Sequence, residues 1–195
     1  MMKWTDKLLT ETLIPVIPTS VRPNHITLFR VCMAPVVGWL LYRENFFWGG
    51  VIFAILVITD GIDGALARSR NIVSDWGKLF DPIADKLLIT LAVAVLVTRY
   101  MSVWLAGAII LLEIVILILA ALCSFGLHQS VQANRWGKLK MLLQSTGIIC
   151  IILAIATHTP ELITAAGYIF YTALAVALLS ILRYHTRPFS GIKSP

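Results

Sequence analysis

The sequence predicts an all-α integral membrane protein with six transmembrane helices and an N-terminal amphipathic juxtamembrane helix. Of its 195 residues, 58% are hydrophobic and only 13% are charged, a balance outside the range of soluble globular domains. Apolar stretches recur along the chain. Their length is close to the roughly 20 residues that cross a bilayer. No repeat, low-complexity tract or linker divides the sequence, so we expect a single membrane domain over residues 1–195.

The hydropathy pattern predicts each element in order. Residues 3–15 place Trp4, Leu8 and Leu13 at near-helical spacing between charged residues. This pattern is typical of an amphipathic helix on the membrane surface, with a helix that faces the solvent as the alternative. The transmembrane bundle, about 26–183, is predicted to consist of helices over residues 26–43, 47–67, 78–98, 102–124, 139–157 and 161–183.

The basic residues indicate an orientation. If the N-terminus is cytoplasmic, only Arg43 and Arg99 of the 16 Lys and Arg residues fall at the outer ends of the predicted helices. The positive-inside rule then places both termini in the cytoplasm, and the absence of a transit-like N-terminus favours a prokaryotic plasma membrane. The net charge of +6 suits anionic lipid headgroups. Basic residues tied to membrane boundaries argue against nucleic acid as a partner.

Five of the ten acidic residues lie in "TDGIDGALARSRNIVSDWGKLFDPIADK", residues 59–86. Asp60 and Asp63 are three positions apart, and Asp81 and Asp85 are four apart, so each pair shares a face of its predicted helix. If the two helices are antiparallel neighbours, four carboxylates converge near the inner membrane boundary, where bare charges are costly. Oxygen donors without a nearby Cys or His favour a hard divalent cation such as Mg²⁺, Mn²⁺ or Ca²⁺.

Small residues follow the same two helix faces. Gly64 and Ala67 share the face of the first aspartate pair, and Gly77 shares that of the second. Missing side chains leave room for a ligand against the helix backbone, and Arg68 can meet its negative charge because guanidinium matches phosphate oxygens. The residues therefore predict a metal-dependent enzyme whose substrate is phosphorylated and resides in the membrane. A free carboxylate would accept the proton of an attacking hydroxyl.

Two segments resemble the signature of the CDP-alcohol phosphotransferases, with every fixed position filled: Asp60-x-x-Asp63-Gly64-x-x-Ala67-Arg68 and, after eight residues, Gly77-x-x-x-Asp81-x-x-x-Asp85. The resemblance implies a homodimer that transfers a substituted phosphate from a CDP-linked donor to an alcohol, with release of CMP. It implies that the four aspartates hold the metal, Mg²⁺ or alternatively Mn²⁺, with Asp85 as the general base. The donor nucleotide would bind at Gly64, Ala67, Arg68 and Gly77.

Three further segments resemble the phosphatidylglycerophosphate synthase branch of that family: "PNHITLFR" (23–30), "DPIADK" (81–86) and "WGKLKMLLQ" (136–144). This likeness implies CDP-diacylglycerol as the donor and a small phosphorylated alcohol, glycerol 3-phosphate, as the acceptor. Lys138, Lys140, Arg30 and Arg183 are then candidates for binding the acceptor, although the two lysines also suit positive-inside anchors. Phosphatidylglycerol, as in cardiolipin synthases, and inositol phosphate stay open as acceptors.

The fourth predicted helix contains an acid that the signature does not explain. Glu113 needs a partner inside the membrane, and the sequence does not identify one. The branch commonly carries Arg-Glu here, whereas this chain has Leu112-Glu113, and Met141 stands where threonine is common.

Two other classes of protein compete with the enzyme. Clustered intramembrane carboxylates also mark the ion path of a coupled transporter. That class predicts an inverted repeat and broken helices near mid-bilayer, and the sequence shows neither. A scaffold with a degenerate site would have lost at least one signature position, and none is lost.

Overall fold

The computed structural model describes the backbone of residues 23–70, 75–127 and 135–185, and within these ranges the side chains of residues 27–59, 86–119 and 136–181. Across the described residues the secondary structure is helical, in six helices: α1 (Pro23–Tyr42), α2 (Phe46–Arg70), α3 (Asp75–Tyr100), α4 (Val103–Leu127), α5 (Arg135–Thr157) and α6 (Pro160–His185). The predicted amphipathic helix over residues 3–15 lies outside the described residues.

The six predicted helical segments correspond one to one to α1–α6, so the all-α prediction is confirmed. The main differences are at polar ends, where α2 continues to Arg70 and α5 begins already at Arg135. Hydropathy marks only the apolar part of a helix, whereas backbone hydrogen bonding continues into polar sequence. Asp75 opens α3, a position where an acid suits the positive end of the helix dipole.

Two helices end in a left-handed cap that reverses the chain. Glu44 follows α1 with φ 63° and His158 follows α5 with φ 54°. Beyond each, a backbone N–H reaches back five residues, from Asn45 to the carbonyl of Leu40 at 2.9 Å and from Thr159 to that of Ala154 at 3.1 Å. This Schellman geometry satisfies carbonyls that a helix end leaves open. It allows the short connections that lead into α2 and α6.

The described residues up to Val95 form one compact unit, and those from Leu96 onward form a second. In the first unit α1 packs against α2. A Cβ on Gly49 would lie 2.8 Å from Leu41 Cδ2, and one on Gly38 would lie 3.4 Å from Leu91 Cβ. Glycine therefore permits close helix approach at both positions. The single domain over residues 1–195 stays a prediction.

In the second unit α6 packs along α5 and also contacts α4. The packed face of α6 carries Ala166, Phe170, Ala173 and Ala177, all at most 2% exposed. Their spacing of four, three and four residues follows one helix face. Three alanines on that face let neighbouring backbones approach closely, as in membrane helix bundles.

Large apolar side chains are exposed on the described parts of five helices. On α6 they include Tyr168, Tyr171, Leu178 and Leu179, and comparable large apolar side chains are exposed on α1, α2, α4 and α5. A helix on a soluble protein turns charged and polar residues outward, so this arrangement is typical of helices that face lipid.

Two stretches of the described residues are long and apolar enough to cross a bilayer, Trp136–Thr157 and Pro160–Ile181. Shorter apolar stretches occupy Thr27–Tyr42, Phe46–Thr59 and Val103–Leu119. Membrane insertion of all six helices stays a prediction.

Replacing Gly147 with alanine tests the packing of α5 on α6. The added Cβ would lie 2.8 Å from Cζ of Phe170, a ring that is fully buried. We expect Gly147→Ala to lower the free energy of unfolding by about 1–3 kcal/mol because the ring must move. Gly107→Ala is the control, since no described atom lies within 4 Å of its added Cβ. Thermal unfolding in detergent measures both, and equal stability of the two variants would contradict the packing described here.

Candidate active site

The first half of the predicted site lies on α2, whose helix runs without interruption through the signature positions. Just before them, the hydroxyl of Thr59 donates to the carbonyl of Leu56 at 2.9 Å, so this polar side chain is satisfied within its own helix. Residues three, four and seven apart share a helix face. The helical backbone therefore puts Asp60, Asp63, Gly64 and Ala67 on one stripe. The side chains of these residues and of Arg68 lie outside the described ones.

The second half lies on α3, which is helical through Gly77, Asp81 and Asp85. These positions, four residues apart, also share one stripe of their helix. Their side chains and residues 71–74 lie outside the described residues. The convergence of the four carboxylates therefore stays a prediction.

The predicted metal ligands suit a hard cation on chemical grounds. Four carboxylates provide oxygen ligands alone, and such ligands favour Mg²⁺, Mn²⁺ or Ca²⁺ over zinc. Among the side chains that the structure describes, no group of three or more His, Cys, Asp or Glu residues could hold a metal ion. The four signature aspartates, whose side chains lie outside that set, stay the predicted ligands.

Lys140 is the partner that Glu113 requires. Its Nζ lies 2.6 Å from Glu113 Oε1, and the two residues are 4% and 5% exposed. The pair joins α4 to α5 inside the second unit. Removing one member of a buried pair leaves an uncompensated charge, which is strongly destabilising. The acid that the sequence left unexplained therefore belongs to a buried ion pair.

Lys138 and Lys140 point in different directions. Two positions along an α-helix correspond to a rotation of about 200°, and Lys138 is exposed whereas Lys140 is buried. Lys138 makes no ion pair with the described residues, so no described acid compensates its charge as Glu113 does that of Lys140. The structure does not bring the two predicted acceptor lysines together on one helix face.

The other two acceptor candidates lie on α1 and α6. Arg30 is 1% exposed and interacts with other groups of the protein. Thr27, one turn earlier on the same face, is also buried. The backbone of Arg183 belongs to α6, and its side chain lies outside the described ones.

Gln144 is a buried polar residue to which sequence reasoning assigned no role. It lies one turn after Lys140 on the same face of α5 and is 3% exposed. Its Oε1 and Glu113 Oε2 are buried without a hydrogen-bond partner among the described residues. The signal in the sequence was an amide four positions after a lysine inside an apolar segment, which is the spacing of helix neighbours.

Comparison with known proteins shows where the chain belongs. A family model described as "CDP-alcohol phosphatidyltransferase" matches residues 20–182. A Salmonella choleraesuis (strain SC-B67) protein named "CDP-diacylglycerol--glycerol-3-phosphate 3-phosphatidyltransferase" is 33% identical over 172 residues, which cover 83% of this chain and 91% of that protein. The Escherichia coli (strain K12) protein of the same name is 32% identical over 171 residues, with the same coverage.

A shorter match has a higher sequence identity. A Rickettsia typhi protein, again of that name, is 44% identical over 70 residues, which cover 34% of this chain and only 39% of that protein. The family model and the two longer matches extend over most of the sequence and include both halves of the aspartate signature. The chain belongs to the CDP-alcohol phosphatidyltransferase family.

Proposed function

We propose that this membrane transferase moves the phosphatidyl group of CDP-diacylglycerol to glycerol 3-phosphate, giving phosphatidylglycerophosphate and CMP. The observation that carries the proposal is the complete eight-residue signature on two uninterrupted helices, α2 and α3. The choice of acceptor is supported by relatives named for glycerol 3-phosphate that are 32–33% identical over 83% of the chain.

The donor would bind along the signature stripes. Gly64, Ala67 and Gly77 lack large side chains, so the cytidine and diphosphate of the donor can lie close to the helix backbone. Arg68 follows Gly64 by four residues and supplies a guanidinium group for diphosphate oxygens. A substitution that adds bulk at these small residues should therefore oppose donor binding.

The transfer would need one proton acceptor. The oxygen of an acceptor hydroxyl forms a bond to the phosphatidyl phosphorus, and the bond from that phosphorus to the oxygen of CMP breaks. CMP leaves with the electron pair of the broken bond, and the Asp85 carboxylate takes the proton of the attacking hydroxyl. Atoms and charge balance without a further reactant.

Asp60, Asp63, Asp81 and Asp85 would hold a divalent cation, Mg²⁺ or alternatively Mn²⁺. A cation there would neutralise charge on the diphosphate and on the leaving group. If the four carboxylates converge as predicted, they would without a cation repel both one another and the anionic donor. Ligands that are all oxygen atoms favour a hard ion.

The acceptor phosphate would bind at basic residues, for which Lys138, Lys140, Arg30 and Arg183 are the candidates. Lys138 is exposed and not compensated by a described acid, which favours it for an anionic group. Lys140 already contacts Glu113, so its charge is largely neutralised by the pair. An anchoring role for Lys138 at the membrane surface is the competing explanation.

An acceptor panel tests the proposal. Purified protein with CDP-diacylglycerol and Mg²⁺ is assayed for CMP release with glycerol 3-phosphate, phosphatidylglycerol, inositol phosphate and serine. We expect release with glycerol 3-phosphate, loss of release after chelation of divalent ions, and recovery on adding Mg²⁺ or Mn²⁺. Release with a different acceptor only would reject glycerol 3-phosphate, and no release with any acceptor would reject the transferase. Activity that survives complete chelation would reject the metal site.

The orientation follows from charge. We infer that the active site and both termini face the cytoplasm, because the basic residues concentrate at the helix ends on that side. A membrane-impermeant thiol reagent applied to intact cells should leave a cysteine placed at Lys193 unlabelled and should label one placed at Glu44. The opposite labelling pattern would contradict the proposed topology.

A homodimer is supported by the family resemblance.

A further inference from the structure

The second unit exposes two helix faces of different composition. On α4, the exposed positions between residues 111 and 119 are all leucine or isoleucine: Leu111, Ile114, Leu117, Ile118 and Leu119. On α6, the exposed positions between residues 164 and 175 include no leucine, isoleucine or valine. They form what we call the α6 stripe, which consists of small or hydroxyl-bearing residues: Thr164, Ala165, Tyr168, Tyr171, Thr172 and Ala175.

The composition of the α6 stripe is typical of a contact between membrane helices. Small side chains let two helix backbones approach closely, and hydroxyl groups can bond from one helix to the other. Thr164, Tyr168, Tyr171 and Ala175 follow one another at spacings of four, three and four residues, which is the spacing of a seam between two parallel helices. The leucine and isoleucine face of α4 instead suits acyl chains.

The two tyrosine hydroxyls of the α6 stripe need a partner. Tyr168 and Tyr171 are 71% and 59% exposed, and neither hydroxyl is hydrogen-bonded to any residue that the structure describes. Thr172, in contrast, donates to the carbonyl of Ile169 at 2.7 Å. Within the apolar span Pro160–Ile181, Tyr171 lies about 15–17 Å along the helix from either end. Acyl chains at that depth cannot bond a hydroxyl, so an unpaired one costs free energy.

We propose that the α6 stripe binds the same stripe of a second copy of this chain. Two copies insert into a membrane with the same orientation, so α6 meets its copy in parallel across a twofold axis, and each contact occurs twice. A phenol hydroxyl both donates and accepts hydrogen bonds, so the tyrosines of the two copies bond one another. Residues 162–181 contain no charged side chain, so the stripe meets no like charge in its copy.

This inference names the face through which the proposed homodimer assembles. It rests on the homodimer of the proposed function and not on the proposed reaction, because α6 carries no residue of the aspartate signature. Its tests use no substrate. A monomeric chain that still transfers the phosphatidyl group would therefore remove the interface and leave the transferase intact. A dimer without transfer would do the opposite.

Disulfide cross-linking in liposomes at high lipid dilution identifies the face. The native cysteines are replaced by alanine, and single cysteines are placed on α6 by Tyr171→Cys or Ala175→Cys and on α4 by Ile114→Cys or Ile118→Cys. A disulfide needs two Cα atoms within about 7 Å. On oxidation we therefore expect a covalent dimer from at least one α6 variant and from neither α4 variant. A covalent dimer from an α4 variant, or from no variant, would overturn the proposed face.

Removing the tyrosine hydroxyls tests what stabilises the contact. Energy transfer between fluorescently labelled copies, measured as the ratio of lipid to protein rises, gives the dimer Kd. We expect this Kd to rise at least about 3-fold in Tyr168→Phe/Tyr171→Phe, which keeps both rings and removes only hydrogen bonds between helices. Tyr42→Phe makes the same change at an exposed tyrosine where α1 ends, and it should keep the wild-type Kd. An unchanged Kd in the double variant, an equal rise in the control, or a monomeric wild type would overturn the inference.

Discussion

Asp85→Asn is expected to remove phosphatidyl transfer while donor binding largely survives. Asparagine keeps the size of the side chain but cannot take the proton of the attacking hydroxyl, and general-base catalysis contributes about 10²–10⁴-fold to a rate. We therefore expect kcat to fall by at least about 100-fold. CMP release measures the rate, and calorimetric titration with CDP-diacylglycerol in mixed micelles measures donor affinity.

Asp60→Asn is the matched comparison, with the same chemical change on α2 instead of α3. Asp60 is proposed to hold the metal without a role as base, so its loss should weaken metal binding and donor binding together. The donor Kd should rise in Asp60→Asn and change little in Asp85→Asn. Equal donor affinity in the two variants would contradict this division of roles.

The second large effect is expected at the buried pair. Lys140→Met leaves Glu113 buried without a counter-charge, and breaking such a pair destabilises by about 3–5 kcal/mol. The geometry behind this expectation is the 2.6 Å contact between two residues that are 4% and 5% exposed. Thermal or denaturant unfolding in detergent gives the change in the free energy of unfolding.

The chain offers a close control for this experiment. Lys138→Met makes the same change two positions earlier on α5, at an exposed lysine, and should alter stability by less than about 1 kcal/mol. Adding Glu113→Leu to Lys140→Met should recover part of the loss, because the uncompensated charge is then gone and the two positions are coupled. Equal destabilisation by the two lysine variants would show that the pair does not stabilise the fold.

The helices could be predicted from sequence because each contains an apolar segment that hydropathy marks, whatever the length of that segment. Hydropathy placed all six, and it missed ends such as Arg70 of α2 and Arg135 of α5 because these turns are polar. Spacing alone also predicted the aspartate stripes, since any helix through Asp60 and Asp63 puts them on one face. These features depend only on residues that are close together in the sequence.

The partner of Glu113 could not be predicted in the same way. Its contact with Lys140 depends on how α4 and α5 are rotated about their axes, which hydropathy does not specify. The family resemblance grouped Lys138 with Lys140 as acceptor candidates, although two positions along a helix face nearly opposite sides. Gln144 was left without a role because a glutamine becomes informative only when its burial is known.

Transfer of labelled acceptor into lipid tests the central claim most directly. Purified protein is incubated with CDP-diacylglycerol, Mg²⁺ and glycerol 3-phosphate labelled in its glycerol carbons, and the lipid phase is analysed by mass spectrometry together with the CMP formed. We predict a labelled lipid with the mass of phosphatidylglycerophosphate, one molecule for each CMP, and none with Asp85→Asn. CMP without labelled lipid would indicate hydrolysis of the donor and would contradict the proposed transfer to glycerol 3-phosphate.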